Sequence, residues 1–220
     1  MKNYAIILAS GSSSRFGGDL PKQFIKIDNK TILELSVEAF QKNENITDII
    51  VVCNPLYIDL CEEILPKEIF TKVNTIITGG ETRQKSSFIG VSLIKEKNAK
   101  VLIHDGARPF ISQKIINNCL KKLDEIDAVG VAIPSNDTII KVDKNNHITE
   151  IPQRSSLMRI QTPQGFRASV IQEAHKLTNA TPELTVTDDC GMVLHFNLSK
   201  IAIIEGEEKN IKITHQSDLK

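Results

Sequence analysis

The segment Ala9–Phe24, ASGSSSRFGGDLPKQF, opens on a run of glycine and serine and carries two cations, Arg15 and Lys22. A Gly/Ser turn after a strand exposes backbone N–H groups in a concave array that suits a phosphate chain. Two cations beside such a loop would hold a triphosphate and stabilise charge growing on a leaving pyrophosphate. Spacing excludes two other phosphate loops: the segment has no GxGxxG and no Gly-Lys-Ser/Thr close. The competing reading is a surface turn with solvated charges.

A second candidate is IHDGARPF (Ile103–Phe110). Asp105 stands just past the end of a predicted strand, where α/β sheets place ligand-handling groups. Gly106 permits close backbone approach, Arg108 could bind a phosphate bidentately, and Asp105 could hold Mg²⁺ together with phosphate oxygens. The plainer reading is an Asp–Arg ion pair at a bend, with His104 as packing. No nucleophile accompanies His104, so no triad is implied.

Weaker singly are TGGETRQKS (Thr78–Ser86), QTPQGF (Gln161–Phe166), TDD (Thr187–Asp189) and GEEKNIKIT (Gly206–Thr214). The Gly-Gly turn precedes a helix, and Gly80 could admit a base or ribose. QTPQGF and TDD read as turns that start helices, since Thr and Asp are good N-caps. Lys209 and Lys212 read by themselves as surface lysines.

The elements that must position these residues follow an α/β rhythm. Strands are predicted at Tyr4–Leu8, Asp48–Cys53, Val73–Ile77, Val101–His104, Ala128–Ile133 and Lys200–Ile204, several of them continuous β-branched runs typical of a buried, mostly parallel sheet. Helices are predicted from Thr31, where Glu34 completes a capping box, through Leu56, Leu60 and Ile64 to a stop at Pro66, from about Gln84 to Lys95, and from Ser112 to Leu123. This is a Rossmann-like sheet flanked by helices, with ligands at the carboxyl ends of its strands. Between about 137 and 159 the rhythm breaks into a two-strand arm, Thr138–Val142 and His147–Ile151, with too little core to stand alone. A last helix is predicted to begin at Ser217. The chain reads as one domain over 1–220 with one protruding β-arm.

Composition bounds the rest. Lys and Arg total 27 and so do Asp and Glu, a net charge of zero that supplies no long-range field for nucleic acid or an anionic membrane surface. The four cysteines show no metal-ligand spacing and point to a reducing cytoplasm. The apolar run Tyr4–Ala9 is too short for a signal peptide, and no stretch is long enough to span a membrane.

Taken in order, LASGSSSRF…PKQF, GGETRQKS, HDGARPF, DTIIK, QTPQGF, TDD and NIKIT resemble the cytidylyltransferases of sugar-alcohol phosphates, over nearly the whole chain from Tyr4 to Leu219. Within that family the chain is most similar to the branch acting on 2-C-methyl-D-erythritol 4-phosphate. The resemblance implies a glycosyltransferase-A-like nucleotidyltransferase fold and Mg²⁺-dependent transfer of CMP from CTP. It implies that Leu8, Ala9, Ser10, Gly11, Gly80, Ser86, Asp105 and Gly106 bind CTP, and that Arg15, Lys22 and Lys212 are catalytic. The acceptor pocket would be Asp105, Arg108, Thr138, Arg154, Thr162 and Thr187, and the arm bearing Arg154 would cross to the second subunit of a homodimer. The alternative within the family is a ribitol 5-phosphate acceptor, which ITEIPQR (Ile148–Arg154) resembles; Ala107, Gly165 and Asp189 favour methylerythritol. The chain departs from the usual family loop at Ser13, where a second glycine is common, and at Gly106, where alanine is common.

Overall fold

The Tyr-Ala-Ile-Ile-Leu-Ala run forms β1 (Asn3–Ala9), buried on both faces. Side chains alternate along a strand, so Ala5, Ile7 and Ala9 enter one hydrophobic layer and Tyr4, Ile6 and Leu8 the other. The computed structural model describes residues 1–11, 16 and 20–219. After β1 come a short hairpin, β2 (Lys26–Ile27) and β3 (Lys30–Thr31), and then α1 (Ile32–Gln41). The capping box forms as its sequence predicts: Thr31 Oγ1 accepts from Glu34 N at 3.1 Å, and Glu34 Oε2 accepts from Thr31 N at 2.7 Å.

The chain continues through β4 (Asp48–Cys53), α2 (Ile58–Ile64), β5 (Val73–Thr78), α3 (Arg83–Ser92), β6 (Lys100–Asp105), α4 (Gln113–Lys122) and β7 (Ala128–Pro134). β8 (Lys141–Val142), β9 (Ile148–Glu150), β10 (Met158–Arg167), α5 (Ala168–Asn179), α6 (Asp189–His195) and β11 (Ile201–Glu205) complete it. Seven strands form one sheet in the order β11-β7-β10-β6-β1-β4-β5. β10 runs antiparallel to both neighbours, while the remaining pairs in the sheet are parallel. Helices α1, α2 and α4 cover one face, and α3, α5 and α6 the other. No helix among the described residues is long and apolar enough to cross a membrane.

Two expectations are corrected. Gln161–Phe166 does not turn into a helix; it is the inner part of β10, with helix α5 starting only at Ala168. Pro163 and Gly165 read as breakers in isolation. In the sheet, Pro163 falls where the pairing with β7 slips between Ile160 and Gln164, the kind of irregularity that tolerates proline. Gly165 is wedged where a Cβ would meet Val129 Cγ2 at 2.7 Å and Leu102 Cδ2 at 2.8 Å. The second correction is Leu56, which is 83% exposed rather than on the inner face of α2. Asn54 Oδ1 accepts from Leu56 N at 3.0 Å and caps a 3-10 turn over Pro55–Tyr57, so the helix begins later and Leu60, Cys61 and Ile64 face the core.

Of the predicted strands Thr138–Val142 and His147–Ile151, only Lys141–Val142 and Ile148–Glu150 pair, as a two-stranded β8–β9 sheet separate from the large one. Asp143 Oδ1 closes its turn by accepting from Asn145 N and His147 N. Every residue from 136 to 151 is exposed, including Ile139, Ile140, Val142, Ile148 and Ile151.

Candidate active site

β4 and β5 lie on one side of β1 and β6 on the other, so the strand order reverses between β1 and β6. In open α/β sheets the crevice at such a reversal, outside the carboxyl ends of the strands, is where ligands bind. A cavity of about 580 Å³ opens there. Leu8, Ala9, Ser10 and Gly11, at the end of β1 and just beyond it, form one wall; Gly79 and Gly80, after β5, form another; Asp105, the last residue of β6, and Gly106 after it form the floor, with Lys22 and Lys212 at the sides. Arg15, with Ser12–Ser14, lies outside the described residues.

Side chains behind the walls fix their shape. Gln23, buried beside Lys22, donates through Nε2 to Ala9 O at 2.8 Å and Gly11 O at 3.1 Å, bracketing Ser10. Ser86 is fully buried under the Gly-Gly turn. Its hydroxyl bonds that of Ser10 at 2.7 Å, donates to Thr82 O at 2.9 Å and accepts from Gly80 N at 3.2 Å. Gly79 is obligatory here, because a Cβ would stand 2.6 Å from Ser10 Cβ and 2.8 Å from Ser86 Oγ. Gly106 N donates to Leu8 O at 2.8 Å, binding the floor to the first wall.

Asp105 is the electrostatic centre. Arg83 Nε donates to its Oδ1 at 3.1 Å, Lys212 Nζ to its Oδ2 at 2.7 Å, and Arg108 Nε stands 4.0 Å away. Burial pushes the Asp105 carboxyl up, but Arg83 and Lys212, joined by Arg108, outweigh it and hold the group well below the usual carboxylate range. Arg83 is shared: its Nη1 donates to Asp189 Oδ2 at 2.7 Å. Burial opposes the Arg83 charge, and the two carboxylates more than restore it.

Lys212 sits on an irregular segment pinned from two sides. Ile213 N donates to Ala107 O at 2.9 Å. Asn210, fully buried, donates to Thr162 O at 2.9 Å and accepts from Arg108 Nη1 on its own carbonyl at 2.8 Å. Lys209, by contrast, pairs with Glu207 at 3.2 Å and stays exposed.

Thr162 is 4% exposed and lies beneath Asp105: its hydroxyl accepts from Asp105 N at 3.0 Å and bonds His104 Nδ1 at 3.1 Å. His104 Nε2 bonds Arg108 O at 3.1 Å. A carbonyl only accepts, so Nε2 carries the proton and Thr162 donates to Nδ1. Burial pushes His104 down to about 4, which keeps this ring neutral. Thr187 lines a neighbouring cavity of about 210 Å³ that shares Thr82 and Arg83 with the first. Thr138 and Arg154 are exposed on the arm, where Arg154 Nη1 donates to Asn136 O at 3.4 Å.

Among the described residues, no group of three or more His, Cys, Asp or Glu is arranged to hold a metal. Asp105 does fit as a single carboxylate ligand. It is ionised, it borders the cavity, and each of its oxygens keeps a lone-pair direction beyond its one strong hydrogen bond. Mg²⁺ is commonly held by one or two carboxylates plus substrate phosphates.

Sequence reasoning passed over Arg83, Asp189, Gln23 and Asn210 as site residues. One signal was available. α3 carries no acid in its first turn, yet Arg83 puts a cation at its positive end, which is unfavourable unless carboxylates wait there.

The family model described as 2-C-methyl-D-erythritol 4-phosphate cytidylyltransferase matches residues 4–220. The chain is 41% identical over 222 residues to a protein of that name from Thermobifida fusca, covering 98% of this chain and 89% of that one. It is 39% identical over 222 residues to the Haemophilus influenzae bifunctional ribulose 5-phosphate reductase/CDP-ribitol pyrophosphorylase, covering 99% of this chain but 47% of that one. A solved 4-diphosphocytidyl-2C-methyl-D-erythritol synthase from Anaerococcus prevotii superposes with a TM-score of 0.87 at 31% identity, covering 99% of this chain and 92% of that one.

Proposed function

The chain belongs to the 2-C-methyl-D-erythritol 4-phosphate cytidylyltransferase family, and from that premise we propose how its residues divide the work. The enzyme is a cytidylyltransferase that moves CMP from CTP to 2-C-methyl-D-erythritol 4-phosphate, giving 4-diphosphocytidyl-2-C-methyl-D-erythritol and pyrophosphate. The observation that carries the residue assignment is the cavity at the strand-order reversal, where a glycine- and serine-rich wall faces Asp105, Lys22 and Lys212.

CTP lies along Leu8–Gly11, with cytosine and ribose at Gly80 over the buried Ser86, and the triphosphate reaches toward Lys22, Arg15 and Lys212. A phosphate oxygen of the acceptor attacks the α-phosphorus in line. The new P–O bond forms as the bond to pyrophosphate breaks, and the leaving electron pair stays on the pyrophosphate oxygen. The acceptor phosphate is already an anion, so no general base is required. Catalysis is positioning and charge neutralisation. Asp105, together with substrate phosphates, would hold Mg²⁺, which would supply further neutralisation of the triphosphate. The acceptor's polyol end points toward Arg108 and the smaller cavity at Thr187. Thr162 contributes by holding the backbone of Asp105, a role supported by its burial. Thr138 and Arg154 reach an acceptor only across a homodimer, the assembly that the exposed apolar arm supports. The four cysteines, free and buried, fit a reducing cytoplasm.

A ribitol 5-phosphate acceptor is the second reading, favoured by the similarity to the CDP-ribitol pyrophosphorylase and weaker than the first. The residue assignment is tested by pyrophosphate release with CTP or UTP, in wild type and Lys212→Met. CTP should be strongly preferred. Lys212→Met should lose on the order of 100- to 1,000-fold in kcat, the range for losing one stabilising donor. Wild-type kcat in that variant would remove Lys212 from the machinery.

A further inference from the structure

Several of the motifs meet in one buried chain of contacts that the transfer chemistry does not use directly. Asp189 is completely buried, yet its carboxylate is fully engaged: Oδ2 takes Arg83 Nη1 at 2.7 Å, and Oδ1 takes a short hydrogen bond from Ser87 Oγ. Ser87 Oγ also bonds His175 Nε2 at 3.1 Å. The turn carrying Asp189 is itself clamped. Gln164 on β10 donates to Asp188 Oδ2 at 2.7 Å and accepts from Cys190 N at 3.0 Å, so one amide holds both residues that flank Asp189. Asp188 also caps α6 by accepting from Gly191 N at 2.8 Å. The chain therefore runs from Gln164 to Asp189, from Asp189 to Arg83, and from Arg83 Nε to Asp105 Oδ1 at 3.1 Å on the cavity floor.

A buried carboxylate is expensive unless paired. Asp189 is matched to a guanidinium whose planar fork spans two acceptors at fixed separation, a geometry that an ammonium cannot copy. Without Asp189, Arg83 would be free to swing wholly onto Asp105 or away from it, and Asp105 would be left to Lys212. We propose that Asp189 and Arg83 are positioning residues that act through Asp105: the pair sets the orientation of the Asp105 carboxylate and keeps it from closing entirely on Lys212, so that it meets Mg²⁺ and CTP in one geometry. This rests on the assignment of the large cavity to CTP.

The test is a double-mutant cycle read by calorimetric titration of CTP in Mg²⁺, which does not depend on turnover or on the acceptor. Asp189→Asn should weaken CTP binding by roughly 10- to 100-fold, the range seen when groups behind a metal ligand are removed. In an Asp105→Asn background the same substitution should change the dissociation constant by less than about threefold, because the residue it acts through is gone. Arg83→Lys should behave as Asp189→Asn does, and it stands in for that variant if the buried substitution fails to fold. The proposal is overturned if either substitution weakens CTP by the same factor in both backgrounds, or leaves the wild-type background unchanged. If wild type itself binds no CTP, the cavity assignment fails, and the proposal with it.

Discussion

At the scale of single residues, the site is a cluster of cations gathered around Asp105 and Asp189, and its members come from distant parts of the chain. Lys22 and Asp105 were legible in the sequence because a lone charge beside a strand end or a glycine turn is conspicuous, whereas Lys212 read by itself as a surface lysine and only the family resemblance singled it out. Arg83 and Asp189 were not, because they are 106 residues apart and each reads locally as part of a helix start. The same burial that hides such pairs sets a pH dependence. His104 and His175 are completely buried, and burial, which outweighs the carboxylate beside each, pushes both from 6.5 down to about 4. Between those values the unfolded chain binds protons that the folded chain refuses, so stability is full above pH 6.5 and falls as pH drops toward 4. Each ring contributes up to about 3 kcal/mol of that loss. Urea unfolding at intervals from pH 7.5 to 4.5 should show a steady decline, and His175→Gln should flatten it. A pH-independent midpoint over that range would contradict the buried, neutral assignment.

At the scale of elements, hydrophobic period and cap chemistry located most of the parallel strands and helices to within a residue or two. Several β-branched runs had no other use than a doubly covered sheet, and Thr31 and Ser112 supplied the side-chain caps of α1 and α4. β10 was illegible because its residues are chosen for tertiary fit and contradict local propensity. Gly165 is there because Leu102 and Val129 leave no room for a Cβ, a fact that no neighbouring residue announces. Gly165→Ala should therefore destabilise the fold by roughly 1–3 kcal/mol through overpacking, lowering Tm by several degrees in a thermal melt. An unchanged melt would mean that β6 and β7 yield more easily than the packing indicates.

At the scale of the whole molecule, the order in which strands are laid down decides where chemistry happens. Adding β6 on the side of β1 opposite β4 creates the crevice, and among the described residues Lys22, Arg83, Asp105 and Lys212 line it. The arm is the part with no core of its own. Ile139, Ile140, Val142, Ile148 and Ile151 are all about half exposed or more, a set of apolar side chains unusual for a free surface. Sedimentation should give a homodimer, and Ile148→Asp with Ile151→Asp should shift it toward monomer. A wild-type monomer would detach Thr138 and Arg154 from the site.

The acceptor is decided by pyrophosphate release from CTP and Mg²⁺, followed with 2-C-methyl-D-erythritol 4-phosphate and ribitol 5-phosphate in parallel. Turnover with the first, and kcat/KM with the second lower by at least about tenfold, is the expected result; one missing methyl or hydroxymethylene group separates substrates by about 1–3 kcal/mol. Preference for ribitol 5-phosphate would make the enzyme a ribitol 5-phosphate cytidylyltransferase and leave only the CTP site as assigned.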